Sequence, residues 1–309
     1  MGFVLRIALA GLAVGAAFIA TLPAASKAAF PGNNGRLAFA TNHTGDVFNF
    51  DIYSMTPGGT GLLPLTGDPE SDSGPEYSPD GKRIVFTRHR PDGGTDIWLM
   101  RADGSDEQLV GGSVAGVSLP VWSPNGNWIA FAYQNGGTSS NWDILKAKLD
   151  GTEIIALEFL TDDPADDFAP AWSPTGNRIA FVSERDGNGE IYTMRSDGTG
   201  EKNLTNNADS YDSNPDWSPT GAHLAFESDR MGDQFDIFKM FSDGSHVHRL
   251  TTSPATDINA SWSPNGTRIA FQSFRDGDAE IFTMWSDGSH QLQRTHNTLI
   301  DLNPDWQPR

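Results

Sequence analysis

Five aspartates each stand five residues ahead of an aromatic: Asp72, Asp167, Asp212, Asp257 and Asp301, before Tyr77, Trp172, Trp217, Trp262 and Trp306. Val117 holds the same place before Trp122 and interrupts the series. Carboxylates are hard oxygen donors, and several turned toward one point would bind Ca2+ or a cationic ligand. The same carboxylates can instead each accept backbone N–H groups of their own loop. A feature carried by nearly every repeat fits architecture, because sites usually differ between repeats. The sequence leaves both readings open, a metal site built from the five acids or five turn caps.

More acids lie in two loops, "ERDGNGE" (Glu184–Glu190) and "FRDGDAE" (Phe274–Glu280). Asp186-x-Asn188-x-Glu190 and Asp276-x-Asp278-x-Glu280 have the alternation of a calcium loop. Both lack the Gly at its sixth position and the helices around it, so hairpin turns are expected. A further acid precedes Ile in every unit (Asp51, Asp96, Asp143, Glu190, Asp236 and Glu280), and the strand arginines Arg36, Arg83, Arg178 and Arg268 are its expected partners. His246-x-His248 would share one side of a strand, but two ligands are too few for a metal site. No catalytic residue is singled out.

These residues are carried by a unit that is written six times. An aromatic followed by Ser-Pro-x-Gly occurs at Tyr77, Trp122, Trp172, Trp217 and Trp262, and "WQP" at Trp306 is a truncated sixth copy. The spacings are 45, 50, 45, 45 and 44 residues, the long one absorbed by extra loop in "NGGTSSNW" and "ALEFLTDDPADD". Each unit holds four short apolar runs bounded by turn residues, too short for helices and suited to strands. Asp-Gly at Asp103, Asp150, Asp197, Asp243 and Asp287 supplies the positive-φ residue of a tight hairpin. The fold class is all-β: a propeller of six four-stranded blades. Residues 33–66 form a unit that lacks its first strand, and the chain ends on "DLNPDWQPR". The C-terminus therefore supplies the inner strand of the first blade and closes the ring. Met55, Met100, Met194, Met240 and Met284 are expected to fill blade interiors.

At these words the chain resembles the TolB-like propeller repeats, also called PD40, over about residues 31–309. The resemblance implies a six-bladed ring with a central channel. It does not by itself fix a function, since the ring serves binding proteins, lyases and the gating domain of prolyl oligopeptidases. A peptidase needs Gly-x-Ser-x-Gly, and the nearest string, "GGSVAG" at 111–116, has the wrong spacing. A Mn2+-dependent pectic lyase needs a His cluster that the seven scattered histidines do not suggest. A non-enzymatic binding module for a protein or glycan partner is the leading expectation. A lyase or lactonase with a channel metal is the alternative, and Ca2+ is the one cofactor suggested. Partner surfaces are expected where units differ, near Asn135–Trp142 and Phe159–Phe168.

The formal charge of −19 opposes binding to nucleic acid or to anionic membranes. There is no Cys, hence no disulfide framework and no lipidated Cys. Residues 1–28 combine Arg6, an apolar run from Ile7 to Leu22, and Ser26-x-Ala28, the pattern of a secretory signal. The expected mature chain is a periplasmic or extracellular monomer, residues 29–309, with no membrane insertion. Intact-mass analysis of exported protein should find a chain starting near Ala29. Retention of Met1–Ala28 would refute the signal.

Overall fold

The computed structural model describes residues 27–43, 49–111, 116–134 and 141–309. Among them all regular secondary structure is strand, arranged as six antiparallel sheets about a central channel. The fourth blade shows the plan: Asp167–Trp172 innermost, then Arg178–Ser183, Glu190–Arg195 and the outer Lys202–Asn203. The six-bladed ring read from the repeats is the fold.

The repeated words are turn chemistry. In each Ser-Pro-x-Gly turn the Ser Oγ accepts the backbone N–H five residues on, as Ser173 does from Arg178 at 3.1 Å and Ser263 from Arg268 at 2.9 Å. Gly at the fourth position has positive φ, 72° at Gly176, which lets the chain reverse without a Cβ clash. In four of the Asp-Gly turns the Asp Oδ1 accepts from the residue two places on, as Asp197 does from Thr199 N at 3.0 Å. A Cβ on Gly198 would stand 2.7 Å from the Leu160 carbonyl oxygen of the preceding blade. That glycine is required by close packing of neighbouring blades as well as by its turn.

Apolar residues on both faces of each sheet are buried against the blades beside them. Phe39, Phe86, Phe131, Phe181, Phe226 and Phe271 occupy one repeated place on the second strands, all fully buried. The five methionines of the third strands are buried in the blade interiors as expected.

The first blade is composite. Asp301–Pro308 pairs antiparallel with Asn34–Thr41, Trp306 opposite Leu37 and Asp301 opposite Thr41. Beyond it lie Asp51–Met55 and Leu63–Pro64. Trp306 is buried against Leu37 and Phe39, and its indole N–H donates to Ser261 O at 3.2 Å. This is the closure read from the split unit.

Two features are not in the repeat pattern. Lys27–Ala28 runs parallel to the inner strand Asp212–Trp217, on the channel side, with Lys27 opposite Asp216. The rest of the expected signal lies outside the described residues. The second feature is the outer strand of blade 3. Five blades end in outer strands of two residues, whereas blade 3 ends in Glu153–Phe159, seven residues long. The start of the segment read as extra loop, residues 156–159, is therefore strand, because Ile154, Ile155 and Leu157 are β-formers that continue the pairing on Trp142–Asp150.

Deleting Leu302–Arg309 removes Trp306 and exposes the edge of Asn34–Thr41. Loss of a buried Trp costs about 3–5 kcal/mol, a large share of a total stability of about 5–15 kcal/mol. The truncated chain should be insoluble or molten by circular dichroism. An unchanged melting temperature would contradict the closure.

Candidate functional site

The five candidate acids begin the inner strands, and all are fully buried. Four face a guanidinium from their own blade. Arg88 grips Asp72 through two bonds of 2.7 and 2.9 Å. Arg185 reaches Asp167 at 3.0 Å, Arg230 reaches Asp212 at 2.7 Å, and Arg275 meets Asp257 through two bonds of 3.0 Å. These arginines also lie over the aromatic rings of their blades, Arg88 4.4 Å from Trp98 and Arg275 4.5 Å from Phe282. The signal in the sequence was an Arg at or two residues past the end of the second strand in these four blades. Asp301 differs: the equivalent place in blade 1 is His43, whose ring packs on Tyr53 at 4.9 Å. Asp301 Oδ2 accepts from Asn297 Nδ2 at 2.8 Å, and Oδ1 has no hydrogen-bond partner among the described residues.

The acids before Ile are buried, but the strand arginines are not their partners. Arg83 pairs with Arg101 in the register while Asp96 lies opposite Arg88, so the expected pairs sit at opposite ends of the strands. Asp96 is met by Arg90 at 3.2 Å and Asp236 by Arg249 at 2.6 Å. Arg83 instead lies 4.8 Å above Trp122.

Both acidic loops are hairpin turns. In blade 4 the Asn188 amide donates to Glu190 Oε1 at 3.2 Å, to Asn207 O at 3.0 Å and to Ser210 O. In blade 6 Asp278 stands in that place. Carboxylate oxygens of Asp276, Asp278 and Glu280 all lie within 4.8 Å of one another, the one group of three His, Cys, Asp or Glu so placed among the described residues. Burial pushes the Glu280 carboxyl up to about 7, and the charges of Asp301 and Asp278 add to the effect.

The inner strands carry a feature that the sequence reading missed. Each has a positive-φ residue three places before its aromatic: Gly74, Leu119, Ala169, Asn214, Asn259 and Asn303. At each the register against the second strand slips, a β-bulge at the channel wall. Asn tolerates this backbone better than Leu or Ala, and its amide can bond locally. In blades 5 and 6 these amides join a buried polar chain. Glu227 Oε1 accepts from Ser213 Oγ and Asn214 Nδ2, both at 2.7 Å, and Oε2 from Asn259 N at 2.8 Å. Asn259 Nδ2 donates in turn to Gln272 at 2.9 Å. The places of Glu227 and Gln272 are taken by Ala40, Ala132 and Val182 in other blades, which was the available signal. Blades 3 and 4 line the wall with Leu119, Phe168 and Ala169 instead, so the channel is polar on one side and apolar on the other.

On the outside, the long strand of blade 3 is an open edge. Ile155, Leu157 and Phe159 are 55, 49 and 59% exposed. Exposed acids flank them at Asp150, Glu153 and Glu158. Behind this strand, between blades 3 and 4, lies a cleft of about 370 Å³ lined by Trp128, Lys146, Trp172 and Ser196. Lys146 bridges it, donating to Ser196 O at 2.7 Å and pairing with Glu158 at 2.9 Å. The segment Asn135–Ser140, where differences between units were also expected, lies outside the described residues.

The sequence profile of the TolB beta propeller domain family matches residues 6–167 and 158–308. The chain belongs to that family. It is 39% identical over 82 residues to the uncharacterized protein Atu1656 of Agrobacterium fabrum, 26% of this chain and 28% of that one. It is 39% identical over 75 residues to the Tol-Pal system protein TolB of Geobacter sulfurreducens, 24% of this chain and 17% of the other. The matched stretches thus span under a third of these relatives' own length. The crystal structure of TolB from Acinetobacter baumannii superposes with a TM-score of 0.79 at 20% identity, covering 91% of this chain and 68% of that one. That likeness shows the fold.

Buried carboxyls give a pH signature. Burial raises Asp51, Asp143, Asp236, Glu190 and Glu227, and pushes Asp72 and Asp167 up to about 6 against the pull of their arginines. The turn acids Asp103, Asp197, Asp243 and Asp287 are held low by the Ser or Thr hydroxyl each accepts from. Raised carboxyls favour the folded state below their ordinary values of 3.8 and 4.5, and that advantage fades as pH rises through the folded values. Lowered ones favour it above 3.8 and lose that advantage in stronger acid. The urea midpoint should therefore be higher at pH 5 than at pH 8, and Glu227→Gln should narrow the difference. A midpoint that rises toward pH 8 would refute the assignment.

Proposed function

We propose that this chain is an exported, non-enzymatic interaction module that captures an extended segment of a protein partner along the outer edge of blade 3. The observation that carries this is the seven-residue strand Glu153–Phe159, open along one side and apolar at Ile155, Leu157 and Phe159. An edge strand offers unpaired N–H and C=O groups, and proteins ordinarily keep such edges short or charged. Five blades of this ring do so and one does not. A partner strand laid on this edge would take its main-chain bonds from the ladder and its specificity from the alternating side chains.

Charge narrows the partner. The chain carries −19, and the acids on and beside the strand, Asp150, Glu153, Asp162 and Asp163, form an acidic border, Glu158 being paired with Lys146. A segment that alternates apolar residues with Lys or Arg is complementary to it, whereas a second copy of this chain would set acid against acid. The signal-like pattern of residues 1–28 and the Tol-Pal relative both support a place in the bacterial envelope. Among the described residues no helix is long and apolar enough to cross a membrane.

The test is site-specific photocrosslinking in the native envelope. A photoreactive residue at Phe159 should yield a discrete crosslinked protein. The same residue at Leu292, on the two-residue outer strand of blade 6, should not. Leu157→Asp with a crosslinker kept at Phe159 should abolish the product while leaving the melting temperature within a few degrees, since Leu157 is half exposed. Equal products at both positions, crosslinking only to a second copy, or a glycan in place of a protein would overturn the proposal.

A further inference from the structure

The repeat supplies its own control for the acidic cluster of blade 6. In blade 4 the equivalent cluster is Asp186, Asn188 and Glu190, beside Asp212 of the next blade. It is closed without any metal. The Asn188 amide donates to Glu190 and to two carbonyl oxygens, and Arg230 neutralises Asp212. At the seam of blades 6 and 1 both devices are missing. Asp278 replaces the amide, so acceptor faces acceptor. His43 replaces the arginine, so Asp301 is without a guanidinium among the described residues.

Asp301 is fully buried and one of its oxygens has no hydrogen-bond partner among the described residues. Asp301 N donates to Ala279 O at 2.7 Å, and Asn297 donates to both Asp301 Oδ2 and Glu280 Oε1 at 2.8 Å, which seats Asp301 beside the cluster. Oxygens of Asp276, Asp278 and Glu280 lie within 4.8 Å of one another. Two oxygens bound to one Ca2+ at about 2.3–2.6 Å can stand no more than about 5 Å apart, so the spacing admits a single ion. Glu280 Oε1 is already oriented by Asn297 N at 2.8 Å, and Asp276 Oδ2 by the Gln293 amide. Both keep a second oxygen for a ligand.

We propose that Asp276, Asp278 and Glu280 bind one hard divalent cation, Ca2+ by preference, beside the buried Asp301 at the seam between blades 6 and 1. The donors are all carboxylate oxygens, which suits Ca2+ better than softer ions. Only one of the five inner-strand acids, Asp301, stands beside this site; the other four are served by arginine. By offsetting the like charges of these four acids the cation relieves repulsion between blade 6 and the C-terminal inner strand of blade 1, and so steadies the closure of the ring. This site does not depend on the docking surface of blade 3.

The experiment uses chelator-treated full-length protein titrated with CaCl2, read by calorimetry and by thermal melting. The parent should bind one Ca2+ per chain. Its melting temperature should rise by about 5–10 °C at a hundredfold excess over Kd. Asp278→Asn copies the arrangement of blade 4. It should fold, melt higher than the parent in chelator, and show no rise with Ca2+. Asp209→Asn removes one exposed acid elsewhere and should keep the full response. The proposal is overturned by a parent protein whose melting is indifferent to Ca2+. It is overturned equally by a Ca2+ response that persists in Asp278→Asn, because diffuse attraction to the acidic surface would then suffice.

Discussion

The pairing of Asp301–Pro308 with Asn34–Thr41 is the contact on which the rest of this molecule depends. A blade is apolar on both faces and cannot bury both by itself, so each needs a neighbour on either side. In an open row the two end blades would each leave one face wet. Joining the chain ends within one sheet removes both ends at once. It also makes the ring a matter of main-chain hydrogen bonds rather than of surface contact alone. Stability, channel shape and the placing of every loop then follow from one strand pair and the residues that anchor it, Trp306 against Leu37 and Phe39.

Neighbouring blades are latched by a second device that also passes through the clasp. The residue before the aromatic reaches the next blade's aromatic N–H. Asp305 Oδ2 accepts from Tyr77 N at 2.8 Å, Glu76 from Trp122 N at 3.3 Å, and Asp216 Oδ2 from Trp262 N at 2.6 Å. A carboxylate that accepts a backbone N–H satisfies a donor that burial would otherwise leave costly. Val121 and Ala171 replace it in blades 3 and 4, where the apolar wall of the channel lies. Blade 6 has Ser261 in that place although its wall is polar, so latch and wall vary separately, and the ring is chemically lopsided although its backbone is nearly sixfold.

What the sequence disclosed was whatever the repeat enforces. Ser-Pro-x-Gly and Asp-Gly each have one local job, so copying them makes the job visible, and even the split blade could be read from its missing word. What stayed hidden depends on pairing across strands or blades. That Arg83 lies over Trp122 rather than beside Asp96 follows from the antiparallel register, which sends the two to opposite ends. The bulges at Asn214, Asn259 and Asn303 could not be seen because Gly74, Leu119 and Ala169 do the same job with unlike side chains. The length of Glu153–Phe159 was obscured because an insertion of five residues looks the same whether it becomes loop or strand.

Departures from the repeat are therefore the informative positions, and their physics separates them into kinds. A substitution that another residue compensates, such as Arg88 reaching Asp72 from two residues nearer the core aromatic than its counterparts, preserves the architecture. A substitution left uncompensated either costs stability or is offset by something outside the chain. Asp278 where Asn188 would close the loop, and an exposed Phe159 where other blades simply stop, are of the second kind. Crowded like charges and a bare apolar edge are both unfavourable in isolation. Their persistence in a ring otherwise so regular is most simply accounted for by the two partners each would accept: a cation at the seam and a strand at the edge.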